Sequence, residues 1–549
     1  MKKVVFITLL LTTATHLFSQ NSAIDKGLQA ITPEVVAAQM DFLASDLTEG
    51  RETGLKGEFI AASYISSVFK IYGLEPGGFA EEDYPRTERN RTSPPDQVKS
   101  YFQVFPLMKS EASDKQEFAI ETETDERKTL HSYTFDTDFF FYQRPSVSMK
   151  TELPVVFAGY GLSDDEKGYD DYKGLDVKGK AVLILYGFPG HLDTTTTAWE
   201  KFHPTGSRWA AYQAESNKIE TARKKGAAAV IFAYTIYSPS LMGATNEFRY
   251  TLRGGLESDE PIPNFYDYGL SLVPDSVSTE IPAYRITKRM LNDLTDGSGI
   301  DAEKFENVVM KDMKPAGKNL KNKKIKLETR VTNSIIRARN VIGVIEGKRS
   351  DEIVVVGAHY DHLGKYNGYV WNGADDNASG TVAVMTLAKA CMATGEKPER
   401  TIVFATWTGE EKGLLGSKYF TEHPYRKKIF AYVNFDMIGR NGQNDSAGTE
   451  CRLVYTKAYP SIEENNKKFN EEKALGLEMS YRPQEKPRGG SDHTPFAEKN
   501  IPILYYLAGY NEEYHTPADE LDKINYEKMA RIIRLSFTDV WTLANCEGL

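Results

Sequence analysis

Cysteine is scarce: three residues among 549, at Cys391, Cys451 and Cys546, an odd number too scattered for a disulfide framework or a thiolate metal site. At most one disulfide can form within the chain. Basic residues are in deficit, with 67 Lys and Arg against 77 Asp and Glu and a formal net charge of -10, which argues against nucleic acid or an anionic membrane as partner. Internal repeats and low-complexity tracts are missing, and so is any apolar run of the roughly 18 residues that would read as a membrane span. What is present, 40% hydrophobic and 26% charged residues, is ordinary globular composition, and the length exceeds what one hydrophobic core serves.

The first twenty residues, MKKVVFITLLLTTATHLFSQ, set Lys2 and Lys3 before an apolar run that Thr12, Thr13, Thr15 and His16 interrupt. This pattern predicts a signal peptide over 1–20, cleaved near Ser19 to Asn21, with no cysteine there to take a lipid. A soluble, exported protein is expected, periplasmic or extracellular.

After it, Val35, Val36, Met40, Leu43 and Leu47, then Ile60, Tyr64, Ile65 and Phe69, stand at helical spacing, so two helices joined by a glycine-bearing turn are predicted. The stretch 75–100 is rich in Pro, Arg, Glu and Asp and predicts a surface loop leading to a strand. Residues 146–300 are β-rich and predict a second domain, inserted between an N-terminal part of the main domain (21–145) and the rest of it (301–549). From KIKLETRV onward strand-like and helical runs alternate: Ile353 to Val356, a helix from about Ser379 to Thr394, Thr401 to Thr408, a helix through KGLLGSKYF, Ala431 to Phe435, Pro502 to Leu507, and a helix from about Tyr526 to Ala544. The expected fold is α/β, a mixed and mostly parallel central sheet with helices on both faces.

Each apolar strand of that region is followed by an acid or an imidazole. His359 and Asp361 follow the first in GAHYDHLG, Glu410 and Glu411 follow TIVFATWTG, Asp436 ends AYVNF, and His515 lies a short loop beyond YYLAG. Asp375 and Asp376, in GADDNASG, stand at the mouth of the helix after His359. Ligands of α/β proteins bind at the carboxyl ends of the strands. Two histidines with several carboxylates and no cysteine suit zinc, with cobalt or manganese as substitutes. Burying this many acids costs several kcal/mol each without a cation, and no Lys or Arg lies inside these motifs. Two divalent ions would neutralise three carboxylates and a hydroxide.

In these motifs and their order, GAHYDHLG, GADDNASG, TGEE, NFDMIG and YHTPAD, with EGRETG in the opening helices, the chain resembles the double-zinc aminopeptidases, the family related to glutamate carboxypeptidase, glutaminyl cyclase and the transferrin receptor. The resemblance implies the zinc-exopeptidase fold, two zinc ions and peptide substrates. It implies that Asp375 bridges both ions, that His359 and Asp436 complete one site and Glu411 and His515 the other, and that Glu410 is the general base acting on a water activated between the two ions. It makes Asp361 the acceptor of the second N–H of His359, Asp376 the partner of Asp375 in a strained, often cis, peptide, and Tyr514 a stabiliser of the oxyanion. The segment GGSDHTPF resembles a stretch lining the substrate pocket, with no further role for Asp492 or His493. His362 and His423 are expected at the surface or behind the ligands, and Cys391 in the core. Through ELPVVFAGYGL to GKAVLILYG and KIETARKKGAAAVIFAY, residues 146–300 resemble a protease-associated domain. The activity implied is removal of N-terminal residues. The rivals are a carboxypeptidase, which would need Arg440, Arg482 or Arg488 in the pocket, a glutaminyl cyclase with one metal, and a metal-free binding protein on the same fold.

Overall fold

The computed structural model describes residues 23–79, 99–233, 235, 268–273 and 281–548, apart from 114, 125, 126, 136, 144, 205–207, 367 and 427. The predicted signal peptide and most of the 75–100 loop lie outside these residues. Two compact units divide the chain. One holds the chain up to Leu107 and from Ile336 onward; the other holds Met108–Glu247 and Tyr266–Ile335.

The first unit is built on a mixed sheet. Its main strands are β1 (Phe102–Ala112), β2 (Val331–Ile345), β3 (Arg349–His359), β4 (Arg400–Trp407), β5 (Lys428–Phe435), β6 (Glu450–Thr456), β7 (Glu478–Gln484) and β8 (Ile503–Leu507). They lie in the order β7-β6-β8-β5-β3-β4-β2-β1. Strands β4, β3, β5 and β8 are mutually parallel, β2 runs antiparallel to β4, and β6 antiparallel to β8. The run Ile353 to Val356 shows why the sheet is covered twice. Val354 and Val356 pack into a core on one face, and Ile353 and Val355 join Trp407, Tyr432 and Phe496 on the other.

Helices α1 (Pro33–Leu43), α2 (Lys56–Ile71), α3 (Gly380–Ala393), α4 (Leu415–Glu422), α5 (Ser461–Glu472), α6 (His493–Glu498) and α7 (Tyr526–Asn545) supply the layers. Helix α1 starts with Pro33 behind Thr32, whose hydroxyl accepts the N–H of Val35. Helix α3 is apolar nearly all round and correspondingly buried, Cys391 included. The elements β6, β7 and α5 were not foreseen: EMSYRPQ and SIEENNKKFNEE carry too little apolar periodicity to stand out, and in ECRLVYT the apolar run is only a few residues long. All three cysteines are free thiols.

The second unit carries its own eight-stranded sheet, in the order Lys128–Tyr133, Glu117–Glu123, Lys318–Thr329, Met149–Phe157, Ala181–Leu185, Ala229–Ala233, Ala283–Ile286 and Phe139–Gln143. This unit therefore reaches beyond the expected 146–300 at both ends. The reason is pairing: Ile120 stands opposite Ile325, and Phe140 opposite Arg285, so strands outside that range complete the sheet.

Candidate metal centre

Parallel pairing brings the chemistry to one edge. In register, His359 lies beside Trp407, the last residue of β4, and Phe435 beside Tyr506 near the end of β8. The residues that follow those ends, Glu410, Glu411, Asp436 and His515, thus converge with His359 although they are distant in sequence. Two groups of donors result, His359 with Glu410 and Asp436, and His362 with Asp376 and Glu411.

Asp376, one residue after the expected bridge, stands between the two imidazoles. Its Oδ1 lies 3.3 Å from His359 Nε2 and its Oδ2 3.0 Å from His515 Nε2. Around it, His359 Nε2 is 3.7 Å from Asp436 Oδ1, and His515 Nε2 is 3.3 Å from Glu411 Oε2. Two ligands about 2.0–2.1 Å from one tetrahedral zinc ion are roughly 3.3 Å apart, so these donors are spaced to share cations. Glu410 Oε2 is farther off, 4.0 Å from His359 Nε2, beside this set.

Asp375 is the correction to the expected site. Its carboxylate turns away from the imidazoles: Oδ1 accepts the backbone N–H of Gly439 at 2.8 Å and Oδ2 the side-chain amide of Asn511 at 3.1 Å. It thereby ties the segment after Asp436 to the loop that carries His515. The cis peptide likewise falls one place later, between Asp376 and Asn377. Both acids have the right chemistry and adjacent positions, and only the backbone path at the start of α3 separates them. Asp519 holds that path, its carboxylate accepting the N–H groups of Asp375 and Asp376.

Asp361 also differs from expectation. His359 Nδ1 bonds to the main-chain oxygen of Asp361 at 3.1 Å, while the nearer carboxylate oxygen is 3.8 Å away. The Asp361 carboxylate instead accepts the backbone N–H of Glu410 and of Glu411, and the hydroxyl of Thr53 at 2.9 Å. It shapes the turn after β4. Tyr514 stacks on His515 with ring centroids 3.8 Å apart, and Tyr510 meets its edge. His362 is fully buried, with Nδ1 2.8 Å from Glu411 Oε1, whereas His423 is exposed on Tyr419. His493 is buried flat on Tyr505, and Asp492 is buried beside it.

One buried cation escaped the sequence reading, and a second, weighed there only as a carboxylate-binding arginine, is held by its neighbours. Arg51, from EGRETG, is wholly buried and donates to the carbonyls of Tyr360, Leu43, Asn372 and Gly373. Arg440 is engaged by Glu513 at 2.8 Å and Asn511 at 3.2 Å. A lone arginine between helical segments gives no periodic signal of its burial.

The electrostatics separate the neighbouring acids. Burial opposes ionisation of Asp376, yet His359 and His515 hold its carboxyl well below the usual range; burial and nearby Asp519 push Asp375 well above it. His515, though buried, is raised to about 10 by Glu411 and Asp376, and His359 is also raised, against its burial, by Glu410, Asp376 and Asp436. A pocket that draws protons onto buried imidazoles attracts cations. Tyr514 is pushed well above an ordinary phenol by burial and the surrounding carboxylates, so it keeps its hydroxyl proton.

Residues 340–538 match the model of peptidase family M28. A leucine aminopeptidase 2 of Arthroderma otae is 28% identical over 213 residues, covering 34% of this chain and 41% of that protein. A glutamate carboxypeptidase 2 homolog of Caenorhabditis briggsae is 29% identical over 225 residues, covering 35% and 28%. The chain spans about half or less of the length of the curated relatives it matches. Over almost its whole length the fold is shared with a solved aminopeptidase from Aneurinibacillus sp. strain AM-1, with a TM-score of 0.54, 19% identity and coverage of 96% and 97%.

Proposed function

From its membership of peptidase family M28, we propose that the protein is a zinc-dependent exopeptidase that removes N-terminal residues from peptides. The observation that carries this reading is Asp376, a carboxylate set 3.3 Å and 3.0 Å from two separate imidazoles, each with a further carboxylate beside it. His359, Asp376 and Asp436 would hold one zinc ion, and Asp376, Glu411 and His515 the second. The pair of ions would supply Lewis-acid polarisation and a water of lowered pKa.

The chain's own residues do the rest. Glu410, next to this set and raised well above an ordinary carboxyl by burial in the metal-free protein, is the group that takes a proton from the attacking water and returns it to the leaving amine. Its backbone N–H is fixed by Asp361, so its place beside His359 does not depend on substrate. Tyr514, protonated and stacked on His515, is a donor for the oxygen of the scissile carbonyl. Of the three arginines a carboxypeptidase could set against the terminal carboxylate, Arg440 is committed to Glu513 and Asn511, and Arg482 and Arg488 are exposed. The second unit, in its β-rich build, is proposed to be a protease-associated domain.

The test is to incubate zinc-loaded protein with a mixed peptide library, half of it N-acetylated, and to follow by mass spectrometry which end shortens. Shortening of free N-termini alone is expected. Trimming from C-termini irrespective of acetylation would replace the aminopeptidase with a carboxypeptidase, and unchanged peptides would overturn the enzymatic reading.

A further inference from the structure

His362 has no part in the ligand set proposed above, yet it is the second imidazole on the Glu411 side of the centre. Its ring is fully buried and lies edge-on to His515, with centroids 5.8 Å apart. Two contacts fix it. Its backbone N–H donates to the carbonyl of Arg51 at 3.1 Å, and its ring lies so close to Gly373 that a Cβ there would come within 2.4 Å of Cδ2. With the ring unable to swing, Nδ1 points at Glu411 Oε1, 2.8 Å away, and stays 3.9 Å from Asp376 Oδ2.

The two oxygens of Glu411 are thereby divided. Oε1 faces His362, and Oε2 faces His515 at 3.3 Å. A separation of 2.8 Å between nitrogen and oxygen is that of a charge-assisted hydrogen bond, shorter than the roughly 3.3 Å between two donors on one tetrahedral zinc ion. Nδ1 therefore carries the proton that Oε1 accepts. His362 Nε2 is buried with no hydrogen-bond partner among the described residues, so the imidazole's polar contact with the centre is made through Nδ1.

We propose that His362 is a positioning residue that occupies Glu411 Oε1 and leaves Oε2 as the single oxygen offered to the ion shared with His515. The inference rests on the two-metal reading. It adds an asymmetry to it: the ion on the Glu411 side depends on His362, and the ion on the Asp436 side does not. A hydrogen bond that orients a metal-ligating group is typically worth 10–100-fold in metal affinity.

The experiment is equilibrium dialysis of chelator-stripped full chain against Co2+, with bound metal counted and its visible absorption recorded, for wild type, His362→Leu and His362→Asn. Leucine keeps bulk without a donor, and the asparagine amide stands where Nδ1 stood. Expected are two ions in wild type, one of them weakened at least about tenfold in His362→Leu with the other within about threefold. In His362→Asn the weakened ion should return toward the wild-type affinity. Equal affinities in the leucine variant, or equal loss of both ions, would overturn the proposal. So would an asparagine variant as weak as leucine, because a donor to Glu411 would then not be what the ion needs, and Nδ1 of His362 would be acting as a ligand. A wild type that binds no Co2+ would instead sink the two-metal reading itself.

Discussion

Replacing Arg51 by lysine tests how the centre is held. The guanidinium is buried, and it donates at 2.8 Å to Tyr360 O, at 2.6 Å to both Leu43 O and Asn372 O, and at 2.9 Å to Gly373 O. Tyr360 follows His359, and Asn372 and Gly373 precede Asp376, so one side chain fastens both segments to the end of α1. A lysine ammonium has three donors on one atom, and it cannot reach carbonyls that a planar fork meets from three nitrogens. Losing two of the four bonds at roughly 1.5 kcal/mol each, the lower value for bonds to charged groups, gives a destabilisation of about 3 kcal/mol. Alanine would strand all four carbonyls and cost at least about 4 kcal/mol, a large share of the 5–15 kcal/mol that stabilises a typical domain. Urea unfolding of metal-stripped Arg51→Lys, followed through tryptophan fluorescence, measures this, since Trp371 adjoins Asn372 and is buried. A shift worth less than about 1 kcal/mol would refute the argument.

Glu410→Gln should keep its metal and lose at least about 10²-fold in kcat, and wild-type turnover would remove Glu410 from the mechanism. Asp376→Asn should fail to hold zinc on dialysis while Asp375→Asn retains it, and the reverse outcome would restore Asp375 as the bridge. The buried Asp539 carboxyl, bonded to Tyr506 and Asn466, is pushed up by burial to about 7. A raised carboxyl pKa stabilises the fold at acid pH, and that contribution is lost as pH climbs from the unfolded value near 4 through 7. Its full size is about 4 kcal/mol. Asp539→Asn should therefore gain on wild type between pH 4 and pH 8, and melting curves that stay parallel across that range would contradict this.

Strand ends and the helix α3 were legible because β-branched runs such as Ile353 to Val356 and the apolar GTVAVMTLAKACMA carry their burial in composition. The sequence also led to His359, Glu410, Glu411, Asp436 and His515, each able to bind a cation and each standing at the end of an apolar strand or in the turn or loop after it, and the structure gathers all five. What could not be read was orientation. Whether Asp375 or Asp376 faces the imidazoles depends on main-chain torsions at the mouth of α3, set by Asp519 more than a hundred residues away. The burial of Arg51 and His362 is similarly tertiary, since each is enclosed by segments remote in sequence. The reach of the second unit was missed because strand pairing partners, unlike strands, leave no local mark.

The spread of the donors along the chain also bears on when the centre can exist. A chain emerging from the ribosome has His359, Asp376, Glu410, Glu411 and Asp436 in hand long before His515. Strand β8, which leads to His515, pairs beside β5, and α7 packs on α1, with Arg534 donating to the carbonyl of Ile31. A nascent chain stalled between Asp436 and His515 therefore has the acids without the imidazole that closes their ring.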